Sequence, residues 1–228
     1  MTETVPLFPL GHTVLFPGML LPLHIFEDRY RELVRTLVAR AGGQRRRFGV
    51  VAIRQGWEVG ADAVRALHEV GCAAELRRVS RYPDGRYDVV TEGSDRFRLL
   101  DVRSGDEPYL VGTVEWLAAD PPAEPEVAVL AGAVNGLFEH YLADVAAVQR
   151  AAVAQPHDLP ADPVKLSYRV AAGAVLTLED RQALLAAGGT AERLRMELRL
   201  LKRETTMLRH LHALPTSLAT LQVTQSLS

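Results

Sequence analysis

Residues 5–33 read VPLFPLGHTVLFPGMLLPLHIFEDRYREL, and this stretch decides the fold class of the first half of the chain. It is apolar, contains four prolines and two glycines, and changes abruptly into a charged amphipathic segment. Proline has a fixed φ and no backbone N–H, so this stretch cannot form a continuous helix and allows only short strands. We predict strands at residues 13–16 and 20–25, separated by the turn dipeptide Pro17-Gly18.

The charged segment that follows predicts one early helix over residues 27–40. Its apolar side chains recur at the spacing of a single helical face, namely Tyr30, Leu33, Val34, Leu37 and Val38. Gly42-Gly43 ends the pattern.

Short strands dominate the rest of the first half. We predict them at residues 48–53, 66–82, 86–92, 96–102 and 109–117. Pro83-Asp84-Gly85 predicts a hairpin turn, because glycine accepts the positive φ that such turns require. Phe97 and Leu99 are expected to face opposite to Arg96 and Arg98. Many short strands at regular spacing indicate a small, mostly antiparallel barrel.

The second half is predicted to be helical. Residues 118–125 hold three prolines with acidic residues, which is typical of a stiff, solvated connector. Apolar residues at helical spacing follow, and Asp162 before Pro163 and Thr177 before Asp180 predict helix starts. A last helix over residues 191–211 carries a leucine stripe, and charged residues fill much of its other face. That stripe fits the seam of an intramolecular bundle or, alternatively, a dimeric coiled coil.

These patterns predict an α+β protein. We expect a barrel domain at residues 1–118, a linker at 119–125, a helical bundle at 126–213 and a tail at 214–228.

Composition bounds the function. The chain has 228 residues, 48% of them hydrophobic, and a net charge of −2, which gives no reason to expect nucleic acid as a partner. Neither a signal peptide nor an apolar run long enough to span a bilayer is visible, so we expect a cytoplasmic protein. We expect a monomer or a weak dimer.

No catalytic or metal-binding motif stands out. The Gly-x4-Gly-Lys-Ser/Thr phosphate loop and the Gly-x-Ser-x-Gly elbow are both missing from this sequence, as are His and Cys spacings typical of metal sites. The single cysteine, Cys72, lies in an apolar run, which favours a buried inert thiol over a nucleophile. Lys165 and Ser167 are two residues apart on a predicted helix and so point in different directions. We predict no enzymatic activity, no cofactor and no metal.

Several further motifs occur in a recognisable order. They are FGVVAI at 48–53, LHEVGCAA at 67–74, YPDGRY at 82–87, EGSDRFR at 92–98 and PYLVGTVE at 108–115. With the opening stretch and the helical segments at 178–185 and 193–204, they resemble the Lon amino-terminal domain, the substrate-recognition part of the Lon protease family. The resemblance covers about residues 4–206. It implies a PUA-like pseudobarrel followed by a helical bundle, and a module that binds proteins without performing chemistry.

Six residues are candidates for partner binding, at the Pro17-Gly18 turn and on the early helix: Phe16, Met19, Leu20, Asp28, Arg29 and Glu32. Met19 and Leu20 beside the turn are expected to be exposed, and methionine adapts to varied partners. Alternatively, Met19 packs in the barrel and the helix presents a solvated face with the pairs Glu27–Arg31 and Glu32–Arg35.

The function predicted from these observations is reversible capture of unfolded or degron-bearing segments along apolar surface between barrel and helices. A protease or another protein would be the further partner. One alternative is a PUA-like module that binds a small ligand or RNA, and another is a hydrolase. Arg45-Arg46-Arg47 fits a solvated loop or an anion or RNA contact.

Overall fold

The computed structural model describes residues 2–40, 45–56, 64–120, 125–149 and 159–211. It divides into two compact units, Met1–Ala119 and Asp120–Ser228. The described part of the first unit contains β1 (Thr2–Leu10), β2 (Leu20–Ile25), α1 (Asp28–Ala39), β3 (Arg47–Gly56), β4 (Val64–Leu67), β5 (Val70–Arg81), β6 (Tyr87–Arg103) and β7 (Val111–Trp116). That of the second unit contains α2 (Pro125–Gln149), α3 (Pro163–Gly173), α4 (Leu178–Ala186) and α5 (Thr190–Leu211).

Five strands of the first unit form a closed ring in the order β1–β7–β6–β5–β3, because β3 pairs again with β1. Closure depends on β1, which changes its partner along its length. Residues 2–6 pair antiparallel with β7, and residues 7–10 pair parallel with β3. The other pairs of the ring are antiparallel. The predicted α+β fold class, with a mostly antiparallel barrel before the helices, is confirmed.

Apolar side chains fill the interior of the ring. Val5, Leu7, Phe97 and Val114 are buried together, and they come from three different strands. The Phe97 ring meets the Trp116 ring edge-on at a centroid distance of 5.9 Å. Edge-to-face contact suits the quadrupoles of two aromatic rings, so this pair ties β6 to β7.

Four of the predicted strands were wrong in detail. Residues 13–16 do not form a strand, although Val14, Leu15 and Phe16 are buried. The strand predicted at 66–82 is two strands, because the chain leaves the ladder at His68-Glu69. The strands predicted at 86–92 and 96–102 are one, since β6 continues through Gly93 for 17 residues.

The length of β6 follows from its partners. Along one edge it pairs first with β2 and then with β7, and β5 pairs along most of the other edge. Register shifts on β5 between Cys72 and Ala74 and between Leu76 and Arg78 let the long ladder bend. Glycine in a strand pattern therefore did not end this strand.

The predicted hairpin turn joins β5 to β6. Gly85 has a φ of +86°, and its N–H donates to the Tyr82 carbonyl. Arg31 on α1 fixes the turn from outside, because its Nε donates to the Gly85 carbonyl at 2.9 Å. The turn is thus both a local sequence feature and a docking point for the helix.

The early helix, α1, begins one residue later than predicted and packs on the barrel through Tyr30, Leu33, Val34 and Leu37. The Tyr30 ring stacks on Phe8 of β1 at 4.1 Å. Val38 was predicted on this face and is exposed instead. The glycines predicted to end the helix lie outside the described residues.

The two predicted helix starts in the second unit are confirmed. The Asp162 carboxylate accepts the Lys165 N–H at 3.0 Å, and Pro163 occupies the first turn of α3. The Thr177 hydroxyl accepts the Asp180 N–H at 3.1 Å at the start of α4. Each side chain satisfies one N–H that has no partner within its helix.

Three charged residues of α5 do not lie on its exposed face. Arg193, Glu197 and Glu204 are buried, so the helix carries charge on its packed face. Arg193 pairs with Asp120, whose side chain is only 2% exposed although the sequence placed it in a solvated connector. Ser167 is also buried and accepts from the Arg193 Nε at 2.8 Å. These buried polar contacts could not be predicted from helical periodicity, because Leu194 and Leu201 on the same helix dominate the pattern.

Candidate functional site

Strand β2 exposes one of its two faces. Leu21 and Ile25 point into the protein and are buried, whereas Leu20, Pro22 and His24 are exposed. Leu20 is 59% exposed, which is high for a leucine in a strand. Side chains alternate along a strand, so the three exposed residues share one face.

Two aromatic side chains extend this face. Phe26, directly after β2, is 55% exposed, and Tyr82 at the β5–β6 hairpin is also exposed. The His24 ring lies 6.4 Å from the Phe26 ring and 6.1 Å from the Tyr82 ring, centroid to centroid. We call Leu20, Pro22, His24, Phe26 and Tyr82 the β2 surface.

A shared carboxylate orders the β2 surface. Asp88 lies opposite His24 in the β2–β6 ladder. The His24 Nδ1 lies 2.6 Å from one Asp88 oxygen, and the Tyr82 hydroxyl donates to the other at 2.5 Å. Both rings are therefore held in place by hydrogen bonds although they are exposed to solvent.

These bonds shift two ionisations. The hydrogen bond from Tyr82, followed by the bond from His24, lowers the pKa of the Asp88 carboxyl because both favour its charged form. The same contact with Asp88 raises the pKa of the Tyr82 hydroxyl, since its ionisation would place two negative charges side by side. The site therefore carries a carboxylate and a neutral phenol at neutral pH.

The backbone of β2 offers a second kind of contact. The Met19 carbonyl accepts the Gly93 N–H at 2.9 Å and so points toward β6. Backbone groups alternate along a strand, so those of Leu20, Pro22 and His24 point away from β6. Within the described ranges β2 pairs with β6 alone. The outer edge of β2 is open there, and Pro22 places its missing N–H on that edge, as prolines in sheets do.

The candidates at the turn separate in the structure. Leu20 belongs to the β2 surface, and Met19 is half-buried beside it. Phe16 is fully buried, so its side chain cannot reach an exposed surface. The Phe16 carbonyl lies so close to residue 93 that only glycine fits at that position, because a Cβ at Gly93 would be 2.1 Å from the Phe16 oxygen. The close approach of Gly93 thus positions the turn that precedes β2.

The candidates on α1 form ion pairs. The pair Glu27–Arg31 was predicted, but Arg31 pairs with Asp28 instead. Glu32 pairs with Arg35, as predicted. These contacts leave α1 with a mixed-charge outer side.

Arg29 is the least exposed of the three helix candidates. Its side chain contacts Glu27 at 2.9 Å, and its guanidinium lies 4.5 Å from the centre of the Tyr30 ring. A half-buried arginine held in this way is a packing residue, so any partner at α1 would meet Asp28 and Glu32 first.

A second apolar surface lies elsewhere in the first unit. It is a groove of about 370 Å³, lined by apolar residues of β4, of β6 and of the segment before β7, and by the polar residues His68, Glu69 and Asp101. Leu100 and Val102 on its wall are exposed, whereas Leu67 and Leu99 pack against the barrel core. This groove could not be predicted from the sequence, because its walls come together only through pairing of distant strands.

Five of these site residues were not predicted as site residues from the sequence: Pro22, His24, Phe26, Tyr82 and Asp88. Phe26 and Tyr82 carry a weak signal, since each is a large apolar ring next to a predicted strand end. The pairing of His24 with Asp88 has no sequence signal, because the register of β2 on β6 creates it.

The chemistry available to these residues is limited. Cys72 is buried, as predicted, and burial raises the pKa of its thiol far above the ordinary value. Among the residues that the structure describes, no three His, Cys, Asp or Glu side chains are placed to hold a metal ion. None of the described helices is both long and apolar enough to cross a membrane.

Solved structures share this architecture. A Lon N-terminal domain protein from Xanthomonas campestris superimposes with a TM-score of 0.59 at 26% identity, covering 86% of this chain and 98% of that one. The N-terminal domain of a Mycobacterium avium complex Lon protease gives a TM-score of 0.62 at 20% identity, covering 88% and 98%. The fold is therefore that of Lon amino-terminal domains.

Sequence relatives point the same way. The family profile described as the ATP-dependent protease La (LON) substrate-binding domain matches residues 4–203. Lon protease of Roseiflexus castenholzii is 32% identical over 212 residues, which are 90% of this chain and 25% of that protein. Lon protease of Flavobacterium johnsoniae is 28% identical over 193 residues, 83% of this chain and 23% of that protein. The chain belongs to the Lon substrate-binding domain family, and it spans about a quarter of the length of these curated relatives.

Proposed function

We propose that this chain is a non-enzymatic module that binds unfolded or degron-bearing protein segments at the β2 surface. The observation that carries the proposal is the combination of exposed apolar side chains with an open strand edge on β2. Membership of a substrate-binding family supports the same conclusion. The role would be that of a proteolysis adaptor or of a regulator of a protein partner.

The geometry favours a segment in extended conformation. An extended chain can add to the open edge of β2 through its backbone, whatever its sequence. Its alternate side chains would then meet Leu20 and Phe26. Because Pro22 removes one donor from the edge, the added strand would be held by an incomplete ladder.

Such binding should be weak and reversible. The exposed residues could bury about 600 Å² or less on each partner, which is below the size of a standard stable interface. Ordering a flexible segment also opposes binding. We therefore expect dissociation constants of roughly micromolar or higher.

The alternative of an RNA-binding module finds no support at the β2 surface. Recognition of single-stranded RNA uses aromatic rings together with positive charge. Here the His24 and Tyr82 rings flank the Asp88 carboxylate, which would repel a phosphate backbone, and the Arg86 guanidinium near Tyr82 is paired with Asp84.

Binding of fluorescein-labelled, unfolded casein, followed by fluorescence anisotropy, tests the proposal. We expect saturable binding without cleavage, and Leu20→Glu should weaken it about tenfold or more, since it places a charge in the apolar contact. Val129→Glu is the matched control, because Val129 is an exposed apolar residue of α2 outside the β2 surface. Equal loss in both variants, or casein cleavage by the purified chain, would contradict the proposal. A loss confined to Leu100→Glu would move the site to the groove.

A further inference from the structure

A separate pocket in the first unit is lined by three arginines. It has a volume of about 290 Å³ and lies between β1 and the start of β3. Arg40, Arg45 and Arg47 contribute three positive charges to its wall, and Glu3 contributes the single negative charge there. The other lining residues, Thr4, Val5 and Pro6, are uncharged. The pocket is therefore electropositive, in a chain whose net charge is −2.

Arg47 forms a rigid part of this wall. Its side chain is only 9% exposed, and its Nη2 donates to Glu3 at 2.7 Å. Its guanidinium lies 4.0 Å from the centre of the Trp116 ring, and the Trp116 Nε1 donates to the same Glu3 oxygen at 2.8 Å. A guanidinium fixed by stacking and by hydrogen bonds loses little further freedom when a ligand arrives.

Arg45 supplies the least compensated charge. Its side chain is 65% exposed, and its ion pair with Asp95 is long, at 3.4 Å. Arg47 also reaches Asp95 only at 3.4 Å, so one carboxylate serves two guanidinium groups at a distance. Arg40 donates through its Nη1 to the Arg45 carbonyl at 2.9 Å, which holds the two arginine segments together.

We propose that this pocket binds a phosphate group, either as inorganic phosphate or as part of a small phosphate ester. A guanidinium group can donate two parallel hydrogen bonds to two oxygens of one phosphate. Three guanidinium charges exceed the charge of a single carboxylate, so they can also balance a phosphate dianion. Glu3, and more distantly Asp95, compete for the same donors. The site is distinct from the β2 surface and does not depend on peptide binding.

Trp116 provides the readout, because its indole N–H bonds to Glu3 at the pocket wall. In a Trp57→Phe variant, Trp116 is the only tryptophan left in the sequence. Its emission is titrated with inorganic phosphate and, separately, with glycerol phosphate, against chloride and acetate at equal ionic strength. We expect a saturable change with at least one phosphate compound and none with chloride. If both compounds produce the change, the free phosphate anion is sufficient for binding. If only glycerol phosphate produces it, the ligand is a phosphate ester.

Three substitutions make the test specific. Arg45→Gln should raise the half-saturating phosphate concentration about tenfold, which corresponds to one hydrogen bond to a charged group. Glu3→Gln should lower it, because the competing carboxylate is removed. Arg86→Gln, on the β5–β6 hairpin and outside the pocket, should leave it unchanged.

The proposal is overturned if phosphate and chloride act alike, or if Arg45→Gln titrates like the parent chain. Arg45 is exposed, so its substitution should leave the fold intact, which thermal unfolding can verify. The indole N–H resonance of Trp116 in the unsubstituted chain gives a second measurement. It should shift with phosphate even if the Trp57→Phe variant does not fold.

Discussion

Arg193 and Asp120 form an ion pair whose side chains are 0% and 2% exposed, across 73 residues of sequence. Arg193 also donates to Ser167 and lies 3.8 Å from the centre of the Tyr168 ring. The Thr190 hydroxyl donates to the same Asp120 oxygen at 2.7 Å. Removing one partner of such a pair is costly, because it leaves the other charge buried without its counter-ion.

Asp120→Ala should therefore lower the free energy of unfolding of the second unit by about 3 kcal/mol or more, because Arg193 would remain buried without its counter-ion. Urea unfolding followed by circular dichroism at 222 nm measures this, since four of the five described helices lie in that unit. Asp28→Ala is the control, because the Asp28 side chain is 93% exposed and its loss should change little. Unfolding midpoints that are equal for the two variants would refute the assigned role of Asp120.

Glu197 should make the second unit less stable as pH rises. Burial raises the pKa of its carboxyl well above the ordinary value, and the nearby Arg193 charge only partly opposes this. The stabilising neutral form is fully present below the unfolded pKa of about 4.3, and its contribution is lost as pH rises through the folded pKa.

Glu197→Gln removes that ionisation. The free energy of unfolding of Glu197→Gln should exceed that of the parent chain by a margin that grows between pH 5 and pH 8. Urea unfolding at several pH values measures the margin. A margin that stays constant over this range would show that Glu197 does not titrate as its burial requires.

Gly93→Ala should damage the first unit and the β2 surface together. The added Cβ would clash with the Phe16 carbonyl, which belongs to the turn before β2. We expect a loss of about 1–3 kcal/mol in stability and weaker casein binding. Gly132→Ala in α2 is the control, since its Cβ would meet nothing within 4 Å and should stabilise the helix by about 0.5–1 kcal/mol. Full casein binding by a folded Gly93→Ala variant would show that the β2 surface does not depend on the turn at Phe16.

Tyr82→Phe should raise the pKa of Asp88 toward the ordinary value of an aspartate. His24→Gln should raise it less, because the Tyr82 hydrogen bond is the larger cause of the depressed pKa. Carbon-detected NMR titration of the Asp88 carboxyl measures both shifts. The reverse order would mean that the histidine, not the tyrosine, orders the carboxylate.

Local patterns predicted much of the fold. The Asp162 and Thr177 caps and the Pro83-Asp84-Gly85 turn each depend on residues within four positions, and all three are confirmed. The strand predicted at residues 20–25 is also confirmed. Predictions that depended on where a strand ends were poorer, because a partner strand can carry a chain past a glycine such as Gly93.

The candidate site could be predicted only in part. Leu20 is exposed, as expected beside a turn, but Phe16 next to the same turn is buried. The burial of Glu197 could not be read from periodicity, since glutamate on a helix is ordinarily a surface residue.

The sequence by itself determined that a strand-rich first half precedes a helical second half, and it determined two helix caps, the Pro83-Asp84-Gly85 turn and the family. These depend on the backbone preferences of neighbouring residues and on motifs in a fixed order. Only the tertiary structure decided that His24 meets Asp88, that Arg193 meets Asp120, and that Arg45 and Arg47 share a pocket with Glu3. These contacts join residues far apart in the chain, and strand register and helix packing set them.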